Sequence, residues 1–240
     1  MTRRVLFPLP TLAFDVTECA VPFTLLTRAG VECVFATESG AVADCDHSLL
    51  TGVLFSNDAL AAEPTARALY ADMIKQPCFQ QPLSWSSPGF DPSAFDAIFL
   101  VGGHAPPMRQ YLESVSLQTI VKFFFDTNKP VAAICHGVLV AARAGCLKGR
   151  RTTCLPKYME RNAFLLTWFK LGRHYRTYEI YLQDEVASLG AIVDAGPWTL
   201  ISKGTETDDS AAFVVEDNNY LSARWPGDAY LLAKKLLTKL

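Results

Sequence analysis

The most constraining feature of this sequence is a segment in which an apolar run leads directly into a cysteine, a histidine and a glycine. Residues 131–134 are typical of a buried strand, and residues 138–144 resume with side chains that favour a helix. The sequence between them is Cys135-His136-Gly137. A strand that passes at once into a helix predicts a tight elbow with Cys135 at the end of a sheet. Since a helix N-terminus favours negative charge, this position favours a nucleophilic thiolate.

The remainder of the chain alternates predicted strands with predicted helices. This order predicts an α/β fold with a parallel sheet and helices on both faces, in which ligands bind beyond the carboxyl ends of the strands. A long loop is predicted over 76–92, which contains four prolines. The predicted strands are 3–7, 31–37, 95–101, 131–134, 152–155 and a hairpin over 214–221, and the predicted helices are 17–29, 63–74, 109–127, 138–144, 160–170 and 227–240.

Length and composition narrow the functional classes. With 240 residues, half of them hydrophobic, we expect one domain over 1–240 with a sizeable core. The 22 basic and 24 acidic residues nearly balance, so nucleic acid is not an expected partner. We expect no signal peptide, no membrane span and a cytoplasmic location. Seven cysteines without metal-type spacing predict free thiols and no metal site.

Three side chains are the first candidates for chemistry. Cys135 is the predicted nucleophile, whereas the other six cysteines are expected to pack as small hydrophobic residues. His136 is the candidate acid or base, against a purely structural histidine. It needs a carboxylate to fix its tautomer. Glu18 begins a predicted helix, where a carboxylate ordinarily interacts with the helix dipole. The candidate partners of His136 are Glu160, Glu206, Asp208 and Asp209.

Five segments in register resemble the ThiJ/PfpI superfamily. They are Glu18-Cys-Ala-Val-Pro22, Ala36-Thr-Glu-Ser-Gly40, Gly102-Gly-His104, Ala133-Ile-Cys-His-Gly137 and Gly196-Pro-Trp198. Length and the Gly-Pro-Trp segment look most like the branch of heat-shock chaperone-like proteins with glutathione-independent glyoxalase activity. The resemblance implies a flavodoxin-like three-layer sandwich, a homodimer, and a small-molecule substrate converted without a cofactor.

The same resemblance implies roles for individual residues. Cys135 is the nucleophile, and Glu18 is a buried glutamate hydrogen-bonded to its sulfur. Gly102, Gly103 and His104, with Gly137 of the elbow, supply the oxyanion and substrate side of the site. Glu160 is similar in position to the third acidic residue of the branch. The branch reads Gly-His-Gly where this chain has Gly103-His104-Ala105, and the aromatic segment 158–178 aligns poorly.

These observations leave three functional hypotheses. The first is a glyoxalase that converts methylglyoxal to lactate through thiolate attack by Cys135. The second is a cysteine hydrolase or hydratase for a bulkier amide, peptide or isocyanide, since the aromatic stretch 164–178 can line a wider pocket. The third is a stress-responsive holdase chaperone or a redox sensor in which Cys135 oxidises. For any of these functions, residues 157–180 are expected to form a helical lid over the pocket.

Overall fold

A computed structural model describes residues 2–52, 60–199 and 202–240 of the chain. The strands in these residues are β1 (Arg4–Pro8), β2 (Leu12–Phe14), β3 (Glu32–Thr37), β4 (Asp44–Cys45), β5 (Leu83–Ser84), β6 (Ala97–Leu100), β7 (Val131–Ile134), β8 (Arg151–Thr152), β9 (Ile192–Val193), β10 (Val214–Asp217) and β11 (Tyr220–Ala223). The helices are α1 (Val16–Arg28), α2 (Ser48–Thr51), α3 (Pro64–Met73), α4 (Pro77–Gln80), α5 (Arg109–Leu112), α6 (Val115–Asp126), α7 (Val138–Arg143), α8 (Lys157–Leu171), α9 (Leu182–Ser188) and α10 (Ala229–Leu237).

Seven strands form one sheet in the order β10-β11-β7-β6-β1-β3-β5. All of its pairings are parallel except the β10–β11 hairpin. The chain crosses from β1 to β3 in one direction and from β6 to β7 in the other. Right-handed crossovers therefore place α1 and α6 on opposite faces of the sheet. The predicted flavodoxin-like three-layer sandwich is confirmed.

The centre of the sheet is apolar on both faces because helices cover both. Every residue of β6 and β7 is buried, and Phe7 of β1 stacks on Phe99 of β6 with ring centroids 5.0 Å apart. The strand order reverses between β1 and β6, and such a switch point opens a crevice at the carboxyl ends of the strands. Residues that follow β1, β6 and β7 meet there.

Two predicted elements differ from the structure. The loop predicted over 76–92 contains α4 and β5, because Pro77 lies in the first turn of a helix, where proline is tolerated, and buried Phe79 and Trp85 anchor the segment. The helix predicted over 109–127 is interrupted between α5 and α6, where Ser114 caps the second helix by accepting the amide of Leu117.

The other predicted elements appear with shifted ends. The strand predicted over 152–155 is shorter, and as β8 it pairs with β9 in a separate two-stranded sheet. The hairpin forms around Asn218, whose φ of 56° gives the left-handed turn. Residues 53–59, part of the weakly periodic stretch after β4, lie outside the described residues. No described helix is long and apolar enough to span a bilayer.

A buried ion pair fixes the turn after β11. Arg224 and Asp228 are both fully buried, with Nε and Oδ2 2.8 Å apart. Asp228 also accepts the amide of Phe213, and Arg224 donates to the carbonyl of Pro197. The pair therefore ties three segments of chain to one point.

We expect Arg224→Met to lower the free energy of unfolding by about 3–5 kcal/mol, because Asp228 is left as an uncompensated buried charge. Urea denaturation measures the change. Lys122→Met is the control, since it removes an ion pair with Asp126 in which both side chains are more than half exposed, and it should change stability little. A loss at Arg224 no larger than that of the control would contradict the assignment.

Candidate active site

The elbow holds Cys135 in a conformation that few residues other than glycine adopt. β7 ends at Ile134, and Cys135 begins a single 3-10 turn that leads into α7. Its φ is 55°, a left-handed value that costs about 1–3 kcal/mol and is typical of functional sites. Gly137 completes the turn because a Cβ there would overlap the carbonyl oxygens of Leu100 and Val101. The backbone geometry agrees with the predicted nucleophile elbow.

Glu18 reaches the same point from the first turn of α1. Asp15 caps this helix by accepting the amides of Thr17 and Glu18 at 2.8 and 3.0 Å. In a capping box the glutamate would bind back to the amide of Asp15, but the carbonyl of Gly102 already accepts that amide. The carboxylate of Glu18 instead lies against Gly102, where a Cβ would overlap its Oε2 and approach Cys135 Cβ to 2.8 Å.

Burial controls the protonation of this pair. Glu18 is inaccessible to solvent and Cys135 is 4 % exposed. Neither carboxylate oxygen makes a hydrogen bond of normal geometry. Burial, with the charge of Asp15, raises the pKa of Glu18 well above its usual range, although the thiol of Cys135 and the amide of Gly102 act against this shift. Burial and the charge of Glu18 likewise raise the pKa of Cys135. The two groups therefore titrate as a coupled pair that resists carrying two negative charges.

His136 contacts the sulfur from the side. Its Nδ1 lies 3.6 Å from Cys135 Sγ, and the ring is not among the described residues that line the cavity. Burial, reinforced by the charge of Arg143, lowers the pKa of His136 to about 3, so the imidazole is neutral at pH 7. No carboxylate hydrogen-bonds to His136 in the described chain. The expectation that an acidic partner orients this ring is therefore wrong for the residues described.

The four acidic candidates bind elsewhere. Glu160 is buried, but it accepts the amide of Leu182 at 2.9 Å and pairs with Arg176 at 3.5 Å. Burial raises its pKa to about 7. The remaining three lie on the surface: Glu206 pairs with Arg28, Asp209 pairs with Lys234, and Asp208 accepts the amide of Ser210. Glu160 does not line the cavity with the described site residues, so its place here is structural.

A cavity of about 870 Å³ opens above Cys135. The strand-end side of the cavity is polar and is formed by Asp15, Glu18, Gly103, His104 and Cys135. The rest of the lining is largely apolar and includes Leu49, Leu155, Met159, Leu165 and Leu166, although Asn162 of α8 and Lys203 also line the cavity. Helix α8 of the predicted lid segment supplies much of this apolar wall. The structure thus brings together Glu18, Gly103, His104 and Cys135 around one space, with Gly102 and Gly137 packed directly behind.

His104 adds a neutral imidazole to the polar side. Its ring lies 4.7 Å from that of His136 and 5.1 Å from that of Tyr175, measured between centroids. Burial and the neighbouring His136 lower the pKa of His104 well below its usual range. Its Nε2 is buried without a hydrogen-bond partner. An unpaired buried nitrogen beside Gly103 is available to bind a polar atom of a substrate.

Sequence reasoning missed the cluster that supports His104. His174 Nε2 lies 2.8 Å from Asp46 Oδ2, and Tyr175 lies 3.1 Å from Ser48 across their hydroxyl groups. These pairs join loop 172–178 to the segment after β4, regions far apart in the chain. The local signal was that His174 lies within the aromatic segment 158–178, which does not identify a partner 128 residues away.

The sequence shows no metal-type spacing of cysteines, but the fold brings three potential metal ligands close together. Asp44, Cys45 and His47 place one donor atom each within 4.8 Å of one another. His47 Nε2 and Asp44 Oδ2 already lie 2.8 Å apart, within hydrogen-bond distance, and Cys45 is buried. None of the three is among the described residues lining the cavity. All seven cysteines are free.

Residues 9–209 match the model of a known protein family, described as ThiJ/PfpI family-like. An uncharacterized protein of Schizosaccharomyces pombe is 26% identical over 243 residues, covering 98% of this chain and 83% of that protein. A deglycase of Thermococcus kodakarensis is 32% identical over 140 residues, 58% of this chain and 59% of the deglycase.

Solved structures show the same fold at low sequence identity. The crystal structure of glyoxalase III from Candida albicans matches with a TM-score of 0.71 and 19% identity, over 99% of this chain and 97% of that chain. A likeness at this identity extends to the fold and does not transfer the activity.

Asp15, the cap of α1, gives the site a measurable pH dependence. Burial raises its pKa from 3.8 to about 6, against the two amide hydrogen bonds it accepts. Between these values the native carboxyl keeps a proton that the unfolded chain has lost. This proton contributes about 3 kcal/mol to the free energy of unfolding. The contribution is fully present below pH 3.8 and is lost as the pH rises through 6.

The free energy of unfolding of the wild type should fall between pH 4 and pH 7 as Asp15 loses its proton. We expect Asp15→Asn, which keeps an oxygen for the helix cap, to make this fall smaller by about 3 kcal/mol. Urea unfolding at several pH values measures it. Asp72→Asn is the control, because the Asp72 side chain is 77% exposed. Parallel pH profiles for the wild type and Asp15→Asn would show that Asp15 is not buried in the protonated form.

Proposed function

The chain belongs to the ThiJ/PfpI-like family, and from that premise we propose that it is a cysteine-dependent, cofactor-free glyoxalase. Its reaction converts a 2-oxoaldehyde to a 2-hydroxy acid, as methylglyoxal to lactate. The observation that carries this proposal is that Cys135 and Glu18 both line the polar side of the cavity. Both side chains pack against Gly102, which follows β6. A sulfur nucleophile beside a carboxyl of raised pKa is what addition to an aldehyde followed by proton transfer requires.

The first step forms a bond between Cys135 Sγ and the aldehyde carbon. Because the pair resists two negative charges, Glu18 takes the thiol proton of Cys135 as the sulfur attacks, so that Glu18 becomes protonated while the negative charge moves to the substrate. The aldehyde oxygen becomes an alkoxide, which the amides of Gly103 and of the elbow stabilise. Glu18 then gives its proton to this oxygen. The product is a neutral hemithioacetal, and Glu18 is left as a carboxylate.

The second step moves the hydrogen on the former aldehyde carbon to its neighbour. The Glu18 carboxylate removes this hydrogen as a proton, which gives an enediolate. The hydroxyl proton of the hemithioacetal passes to the second oxygen, and Glu18 returns its proton to the second carbon. A thioester of the 2-hydroxy acid results. Water adds to the thioester, the bond to sulfur breaks, and the acid and the free Cys135 are released.

His136 has a supporting role in this scheme. It lies beside the sulfur and outside the described cavity lining, and its low pKa keeps it neutral. It therefore orients the sulfur, while Glu18 carries the protons. His104, with its unpaired Nε2 at the cavity, is placed to bind the keto oxygen of the substrate.

The size of the cavity favours a second candidate, a cysteine hydrolase or hydratase for a bulkier amide or isocyanide. The same sulfur would attack a carbonyl or isocyanide carbon. A panel of methylglyoxal, small amides and isocyanides separates the two functions. Turnover of an amide or isocyanide with none of methylglyoxal would replace the glyoxalase assignment.

The match with a deglycase supports a related candidate. The substrate would be an adduct of methylglyoxal with an amine or thiol. In a deglycase reaction the sulfur of Cys135 would bond to the adduct carbon while the bond from that carbon to the amine or thiol breaks, and Glu18 would protonate the amine or thiol as it leaves. Rates that follow the concentration of adduct, with free aldehyde held constant, would indicate this activity. Rates that follow free methylglyoxal alone would support the glyoxalase.

A redox sensor is less well supported, because Cys135 is buried and its pKa is raised, whereas sensor thiols are exposed and acidic.

We expect Cys135→Ala to abolish lactate formation from methylglyoxal, because no other cysteine is among the described residues lining the cavity. Lactate is measured enzymatically after incubation with the purified protein. Cys146→Ala is the matched control, since Cys146 is a half-buried thiol outside that lining, and it should keep the wild-type rate. Wild-type lactate production by Cys135→Ala would refute the proposed nucleophile.

We expect Glu18→Gln to lower kcat for methylglyoxal by roughly 10²- to 10⁴-fold, the usual contribution of a positioned acid or base. The amide keeps the shape of the side chain but cannot carry a proton between the two carbons. Alkylation of Cys135 by iodoacetamide shows that the nucleophile is still present in the variant. A kcat within a few-fold of wild type would assign proton transfer to another group.

A further inference from the structure

The cavity divides into two sides of different chemistry. The groups proposed to react lie at the strand ends, where Cys135 is 4 % exposed and Glu18 is fully buried, while Asn162 and Lys203 are polar side chains elsewhere in the lining. Helix α8 faces them with Met159, Leu165 and Leu166. A substrate bound covalently at the sulfur therefore has its reacting carbons on the polar side and the remainder of its structure toward the apolar helix.

The apolar side includes leucines that are unusually exposed for their position. Leu165 and Leu166 are 50% and 56% exposed, although both line the cavity. Cys135 is almost fully buried, so the cavity extends from a closed floor to a wall that is open to water. An apolar ligand that reached this wall would remove leucine surface from water, which is favourable in proportion to the area covered.

Methylglyoxal is too short to cover this wall. A cavity of about 870 Å³ is within the range of sites that enclose ligands of drug size, whereas methylglyoxal has a three-carbon skeleton. With its aldehyde carbon at Cys135, its single methyl group covers only a small part of the leucine and methionine surface. The size and polarity of the cavity both fit a substrate with the same reacting head and a longer apolar tail.

We propose that the preferred substrate is a 2-oxoaldehyde with an unbranched hydrocarbon tail of several methylene groups, which packs along α8 against Met159, Leu165 and Leu166. This inference rests on the proposed glyoxalase function and specifies the substrate class. The dicarbonyl head reacts as described for methylglyoxal, and the product is the corresponding long-chain 2-hydroxy acid. The tail adds binding and takes no part in the bond changes.

The experiment compares kcat/KM for methylglyoxal with that for propylglyoxal, pentylglyoxal and heptylglyoxal. Each methylene moved from water to an apolar wall is expected to raise kcat/KM by about two- to fourfold, until the tail passes the end of the cavity. The lactate analogue formed from each substrate is quantified by liquid chromatography.

Variants of the exposed wall test where the tail binds. Leu165→Asn combined with Leu166→Asn makes the wall polar and should flatten the dependence on tail length. Both side chains are half-exposed, so folding is expected to be retained, and circular dichroism verifies it. Phe169→Asn is the matched control, because Phe169 lies on the same helix, is 68% exposed and is outside the described cavity lining. It should keep the wild-type dependence.

The outcomes separate this inference from the proposed function. A rise in kcat/KM with tail length that is lost in the double leucine variant and kept in Phe169→Asn supports the inference. Turnover of methylglyoxal with no rise, or with a fall, along the series overturns it and leaves the glyoxalase function standing. An unchanged rise in the double leucine variant overturns the placement of the tail on α8. Absence of turnover for every member of the series contradicts the glyoxalase function itself.

Discussion

The site depends on the burial of the Glu18 carboxylate beside the Cys135 thiol. Both groups pack against Gly102, where only a hydrogen atom fits. Glu18, Cys135 and Gly102 come from three different segments that converge at the carboxyl ends of β1, β6 and β7. A methyl group at Gly102 would overlap both reactive side chains. Because the interior excludes water, the two acids cannot both ionise at moderate cost. The pair therefore favours states that carry at most one negative charge.

The fold supports this arrangement from both sides. The fully buried strands β6 and β7 fix the positions of Gly102 and Cys135, which follow their ends. The cap by Asp15 fixes the first turn of α1 and therefore the position of Glu18. The left-handed φ of Cys135 is tolerated because the surrounding sheet determines the backbone on each side. The buried pair of Arg224 and Asp228 fixes Trp225 and Pro226, which close another part of the cavity. Rigid packing thus positions Glu18, Gly102 and Cys135, whereas the half-exposed helix α8 lines the cavity with Met159, Leu165 and Leu166.

The sequence allowed the elements nearest the site to be predicted and left long-range pairings open. The elbow at 135–137 was predictable because strand, turn and helix signals are local and adjacent there. Glu18 was found only through its resemblance to a family, since its local pattern is equally that of a helix start. The carboxylate partner expected for His136 was wrong, because helix spacing does not reveal that Glu160 binds Arg176 and the amide of Leu182. The pairing of His174 with Asp46, and the strand β5 within a proline-rich segment, depend on tertiary packing that no local signal encodes.

Mass spectrometry of protein quenched with acid during turnover of methylglyoxal detects nucleophilic attack by Cys135 itself, because the thioester intermediate is covalent and survives in acid. We expect an increase equal to the mass of one methylglyoxal molecule on the peptide that contains Cys135. This adduct should disappear when the substrate is exhausted. Continued lactate formation with no adduct at Cys135, or with adducts confined to the other cysteines, would contradict thiolate attack by this residue.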